Sequence, residues 1–219
     1  MNSTILSTKV LTYPQQQRIL NADLGLVGYN AIAIELEPWQ TPFSSEHVVF
    51  TSQNGVRSFV IQTDSETLGK VVGYCVGEKT RAMLESHGIR VKLVADKAEA
   101  LANQLVNTHA DLRFTLVQGN MARPELGRIL KKNNVRYDII QAYRTELTPK
   151  TYQRSFDGVL FFSPSAVTSH CSANSIAESV AFCIGETTAE AAKVHTDHTI
   201  IANRPTIENV LVQAIKYYT

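Results

Sequence analysis

Two kinds of segment alternate along this chain from one end to the other. Short apolar runs, often β-branched, recur at 5–9, 31–35, 47–51, 72–76, 91–94, 114–118, 137–142, 158–163, 180–184 and 199–202. Most are separated by roughly 10 to 20 residues of helical pattern, as in "GEKTRAMLESHG" and "RPTIENVLVQAIKYY". Antiparallel strands can be joined by tight hairpins, but parallel ones need a long crossover, usually a helix. The alternation therefore predicts an α/β protein whose parallel sheets carry helices on both faces.

That many strands crowd a single open sheet in a chain of 219 residues, and the sequence repeats itself. "VVFTSQNGVRSF" (Val48 to Phe59) resembles "LFFSPSAVTSH" (Leu160 to His170), each an apolar strand ending in Ser or Thr, then a small polar turn, then Val. Tyr74 to Glu85 resembles Phe182 to Lys193, and each is followed by another strand and an Ala-Asp or Ala-Asn step, at Ala95-Asp96 and Ala202-Asn203. Successive strand–helix units thus follow one order in both halves, as a duplication would leave them.

The two copies predict two similar domains, each a five-stranded parallel sheet flanked by helices. Residues 1–36 and 148–219 form a discontinuous domain, 43–141 an inserted one, and 37–42 with 142–147 a two-stranded linker. Pro38, Trp39 and Pro42 in "LEPWQTPF", and Pro149 in "YRTELTP", suit extended connectors. The expected arrangement is two lobes facing a cleft, with hinge bending as the available motion.

Composition narrows the function. With 21 Lys and Arg against 20 Asp and Glu, interspersed, there is no concentrated basic field for a phosphate backbone, so no nucleic acid partner is expected. No run of 18 apolar residues and no basic-then-apolar leader occurs, so no membrane is expected and the location reads as cytoplasmic. Cys75, Cys171 and Cys183 are widely spaced, and two lie in apolar strands, which reads as buried free thiols. His195 and His198 have no companion ligands, and no metal is expected. GxGxxG, GxxxxGK[ST] and GxSxG are all missing, which argues against the common nucleotide and acyl-transfer sites.

The turns after the strands are more informative. In parallel α/β sheets ligands bind beyond the carboxyl ends of the strands, where helix N-termini gather. "IGETTAE" offers Gly185 at the turn and then Thr187 and Thr188, and "VGEKTRA" offers Lys79 and Thr80. "TSQNG" (Thr51 to Gly55), "SPSA" (Ser163 to Ala166) and "QGNMARPEL" (Gln118 to Leu126) add hydroxyl, amide and cationic groups. Such turns are anion seats if they face a ligand and helix caps if they do not. Read this way, the chain binds a small polar or anionic ligand.

These segments resemble the uroporphyrinogen-III synthase family. "VVFTSQNGV" (Val48 to Val56) is similar to its TSxNxV-like turn, and "GNMARPEL" (Gly119 to Leu126) to its G-x-x-x-R-x-x-L-like segment. "DGVLFFSPSAV", "CIGETTAEAA" and "ANRPTIENVL" are similar to its closing motifs, and "AYRTEL" (Ala142 to Leu147) to its return linker. Lys9 in "LSTKVLTYPQQQ" stands at the basic position of a T-R-P-like opening.

The resemblance implies a monomer without a cofactor that cyclises hydroxymethylbilane with inversion of ring D, in the cytoplasm. Transient contact with the preceding pathway enzyme is a partnership it allows. It implies Tyr143 as proton or hydrogen-bond donor to the leaving hydroxyl, and for such a polycarboxylate the strand-end donors Thr51, Ser52, Asn54, Lys79, Thr80, Ser163, Ser165, Thr187 and Thr188 are expected to receive the carboxylates, with Arg123 and Arg144 as sources of charge. Two other readings stand beside it. One is a non-catalytic bilobal binding protein for a small organic anion or sugar. The other is a response-regulator-like interaction protein, which would need an acidic cluster around a phosphorylatable Asp that this sequence does not show.

Overall fold

The computed structural model describes residues 3–39 and 45–219. The chain packs as two units, Met1–Ala33 with Glu146–Thr219, and Ile34–Thr145. Pro42 and the expected boundary at residue 43 lie outside the described residues.

The first unit holds a sheet of five strands. These are β1 (Thr4–Ser7), β2 (Gly25–Gly28), β9 (Gly158–Phe161), β10 (Val180–Cys183) and β11 (Thr199–Ile201), in the order β11-β10-β9-β1-β2 with every neighbour parallel. Helices α7 (Pro164–Cys171) and α8 (Glu186–Ala192) cover one face, α1 (Tyr13–Leu20) and α9 (Ile207–Tyr218) the other. Side chains alternate across a strand: Leu6, Val159 and Phe161 pack with α7 and α8, while Ile5, Leu160 and Phe182 pack with α1 and α9.

The second unit contains β4 (His47–Phe50), β5 (Val72–Val76), β6 (Arg90–Ala95), β7 (Arg113–Gly119) and β8 (Arg136–Leu147). With β3 (Ile32–Leu36) they make a sheet of six in the order β3-β8-β7-β4-β5-β6. Helices α2 (Gln53–Gln62) and α4 (Glu78–Ser86) pack on Val48, Phe50, Cys75 and Val117, and α5 (Ala98–His109) with α6 (Glu125–Lys132) on Val49, Tyr74, Phe114 and Leu116. A short α3 (Ser65–Lys70) precedes β5. Fully burying a side chain such as Phe50 or Leu84 contributes about 1.5–3 kcal/mol.

Matching β4 to β9, β5 to β10, β6 to β11, β7 to β1 and β8 to β2 gives both sheets the same strand order. In chain order within the second unit that pattern is 3-2-1-4-5, with β3 as an added edge. The first unit reaches it in permuted order, its last three strands playing the part of the second unit's first three.

Two strand expectations change. The run at 31–35 does not join the first sheet; it continues as β3 beside β8, so the second sheet has six strands rather than five. The vacant place is taken by "GLVG" at β2, which pairs in parallel with β1 from Thr4↔Gly25 to Ser7↔Gly28. Glycines at both ends and only four residues hide this strand from a propensity reading. Strand and linker after residue 136 are also one element, because β8 runs unbroken from Arg136 to Leu147.

Candidate active site

A 3-2-1-4-5 sheet reverses its direction of growth between the first and fourth strands, and crevices open there at the carboxyl ends. In the second unit that point lies between β4 and β7. Thr51 and Ser52 follow β4, and Ser52 is the N-cap of α2, its Oγ accepting the Gly55 N–H at 3.2 Å. Asn54 sits in the first turn of α2. Gln53 donates from Nε2 to the Lys79 carbonyl at 3.1 Å, which ties this turn to the start of α4.

Tyr143 arrives at the same place from β8. The β7–β8 register runs regularly to Gln118↔Gln141 and then shifts, so that Gly119 faces Tyr143. Ala142, the residue passed over, is fully buried, and its carbonyl accepts from the Ser58 hydroxyl at 2.5 Å and the Glu37 N–H at 3.0 Å. Tyr143 Oη then lies 2.9 Å from Ser52 Oγ, and its half-buried ring packs against the core between α2 and the sheet.

The charged groups divide. Lys79 and Arg123 are exposed, the latter in the loop between β7 and α6. Arg144 is held by Glu37, Nε to Oε1 2.8 Å. Hydrogen bonding from Gln141, and then from Arg144 with its charge, holds the Glu37 carboxyl below its ordinary range. Asn120, which sequence reasoning missed, clasps the β7 loop to β8: its Oδ1 accepts the Thr145 N–H at 2.8 Å and its Nδ2 donates to the Thr145 carbonyl at 3.3 Å.

In the first unit the corresponding point lies between β9 and β1. Ser163 is the N-cap of α7, accepting the Ala166 N–H at 3.1 Å, and its Oγ is 3.1 Å from that of Ser165. Across the crevice the buried Thr8, also missed, donates to the Leu160 carbonyl at 2.7 Å, while Lys9 is exposed just beyond β1. Thr187 is exposed at the start of α8.

Thr80 and Thr188 are placed differently from their neighbours. Both side chains are buried, and their N–H groups close onto the carbonyls of Gly77 and Gly185, each at 3.1 Å. Gly77 has φ +82°, a conformation that favours glycine. Gly185 is extended at φ −174°, and a Cβ there would meet nothing within 4 Å, so a close turn is not its reason.

Among the described residues no group of three or more His, Cys, Asp or Glu gathers as a metal site. The three cysteines are free; burial raises the thiols of Cys75 and Cys171 to about 11 and of Cys183 to about 12. No helix among the described residues is long and apolar enough to cross a membrane.

Two parallel α/β units, each with capped hydroxyl turns at its sheet's carboxyl end, make the architecture in which parallel α/β proteins hold ligands on strand-end loops. A family model described as "Uroporphyrinogen-III synthase HemD" matches residues 31–211, and the chain belongs to that family, whose members are cyclising lyases of porphyrin biosynthesis. The uroporphyrinogen-III synthetase of Helicobacter pylori superposes with a TM-score of 0.73 at 17% identity, covering 99% of this chain and 100% of that one. A mutant uroporphyrinogen III synthase of Thermus thermophilus gives 0.72 at 15% identity, covering 99% and 98%. A wild-type form of the Thermus enzyme gives 0.54 at 14%, covering 98% and 97%. At these identities the structures attest the fold, while the family match carries the class of activity and disfavours the binding-protein reading. No curated protein matches the sequence significantly.

Proposed function

We propose that this protein closes hydroxymethylbilane into uroporphyrinogen III, with ring D inverted, and that the Ser52–Tyr143 pair serves the dehydration that starts the reaction. The supporting observation is a phenol half-buried at the carboxyl end of the sheet, 2.9 Å from a helix-capping hydroxyl, in a chain of this family.

Hydroxymethylbilane carries an alcohol leaving group on ring A and eight carboxylates. Tyr143 donates its proton to that hydroxyl, water departs, and ring A is left as an electrophilic azafulvenium cation beside the tyrosinate, which regains a proton when the unsubstituted ring D carbon loses its hydrogen on final closure. Attack from the substituted carbon of ring D gives a spiro intermediate, which fragments and recloses with ring D turned over. Unassisted closure at the unsubstituted position gives the type I isomer. Catalysis therefore rests on fixing geometry and easing loss of water.

Thr51, Asn54, Lys79 and Arg123 of the second unit are carboxylate-holding groups in this reading, and so are Ser163, Ser165 and Thr187 of the first, while Ser52 serves Tyr143. Thr80 and Thr188 act through the shape of the turns they anchor, since their side chains are buried. The protein works as a monomer in the cytoplasm without a cofactor, and receives its unstable substrate in passing contact with the enzyme that makes it.

The test is incubation with freshly generated hydroxymethylbilane, oxidation, and resolution of the isomers. Type III product supports the reading. A mixture no richer in type III than the protein-free control sinks it.

A further inference from the structure

The reaction asks Tyr143 to hold its hydroxyl at one place, yet tyrosine turns about two side-chain bonds and β8 leaves its ring half-exposed. The structure supplies two holds.

The first is under the ring. A Cβ built on Gly119 would stand 2.5 Å from Cε2, 2.6 Å from Cζ and 2.9 Å from Cδ2 of Tyr143. Ordinary carbon contacts are about 3.5–4.0 Å, so any side chain at 119 would drive the ring off by about 1 Å. The register shift at Gln118/Gly119 brings ring and glycine opposite each other, and the Asn120 N–H bonds to the Tyr143 carbonyl at 3.2 Å, which fixes the backbone of both.

The second hold is at the tip. Ser52 Oγ already accepts the Gly55 N–H, and a hydroxyl has one proton to give. Directed at the phenol oxygen 2.9 Å away, that proton leaves Tyr143's own proton free for the substrate and supports the oxygen after it has gone. Helix α2 comes near enough because Gly55 too lacks a side chain: a Cβ there would be 3.2 Å from the Val117 carbonyl of β7.

We infer that Gly119 and Ser52 are positioning residues for Tyr143, Gly119 as the seat of its ring and Ser52 as the donor to its oxygen. The inference rests on Tyr143 as the proton donor proposed above. A displacement of about 1 Å at a reacting group can cost about a hundredfold in rate.

Double-mutant cycles test it in the full chain. Gly119→Ala should lower kcat about tenfold or more with KM little changed when Tyr143 is present, and change the residual rate less than about twofold in Tyr143→Ala. Equal losses in both backgrounds, or no loss in the first, overturn the seat. Urea denaturation of the same four proteins reads the contact without substrate: Gly119→Ala should lower the midpoint only where the tyrosine ring is present. A wild type that makes no type III product would defeat the functional reading, while this denaturation cycle would still decide the seat.

Should Gly119→Ala not fold, Ser52 carries the test. Ser52→Thr keeps the hydroxyl and should stay within about threefold of wild type in kcat, while Ser52→Ala should lose about tenfold. Ser52→Ala should lose nothing further in Tyr143→Phe. Equal losses for Ser52→Thr and Ser52→Ala overturn Ser52 as the donor.

Discussion

Tyr29 Oη and His170 Nδ1 lie 3.0 Å apart inside the first unit, with neither side chain more than 8% exposed. Asn174 Nδ2 stands 3.5 Å from the same nitrogen and donates to the Lys150 and His170 carbonyls, each at 2.9 Å. Burial lowers His170 to about 4, and burial with the nearby Tyr152 and Cys171 raises Tyr29 to about 12. Both groups are therefore neutral at pH 7.

A neutral buried histidine makes stability pH-dependent in a known sense. Between the ordinary histidine value of about 6.5 and the folded value of about 4, the unfolded chain binds the proton and the folded one does not. Stability should therefore fall as pH drops through that window, by a total of order 3 kcal/mol. Urea denaturation at steps from pH 7 to pH 5 checks the upper half, where carboxylates contribute least. His170→Leu should flatten the slope there, and an unchanged slope would contradict this account.

Tyr143→Phe should leave the fold intact and slow type III formation. Loss of the Ser52 hydrogen bond should cost about 0.5–1.5 kcal/mol of stability. Loss of the proton donor should cost about 100-fold or more in kcat. Unchanged turnover at subsaturating substrate would remove Tyr143 from the chemistry.

Ser163 separates capping from carboxylate binding. Aspartate caps a helix about as well as serine, so Ser163→Asp should hold stability within about 0.5 kcal/mol, whereas Ser163→Ala should lose about 1 kcal/mol. A negative charge at the seat should nonetheless repel a polycarboxylate and raise KM about tenfold. If Ser163→Asp binds substrate as wild type does, the serine is a cap alone.

Adjacent threonines on α8 should behave oppositely. Thr187→Val, at an exposed position, should raise KM several-fold with stability within about 0.5 kcal/mol. Thr188→Val, buried at 3% exposure, should act on stability rather than KM. Denaturation and steady-state kinetics on the two variants decide it; a KM effect confined to Thr188 would reverse the assignment.

The local structure of two candidate turns is legible in the sequence. Ser52 and Ser163 stand where a strand gives way to a helix, and both are caps, as hydroxyls at such boundaries tend to be. The helical phase of Thr188 was also within reach: Thr188, Ala189 and Ala192 form one buried stripe, and Thr187 lies outside it. Gly119 opposite Tyr143 was not, because it follows from a register shift between strands whose partners lie 24 residues apart. A slip of one residue sends every side chain to the other face of a sheet.

The alternation of strand and helix and the caps at Ser52 and Ser163 are written locally, because each depends on neighbours a few residues away. Long-range pairing placed β3 in the second sheet and "GLVG" at the edge of the first. It alone set the Tyr143 ring on Gly119 beneath the Ser52 hydroxyl. Those choices turn on which strand edges meet and in what register, and pairing across the sheet is settled by packing over the whole unit rather than by any local preference.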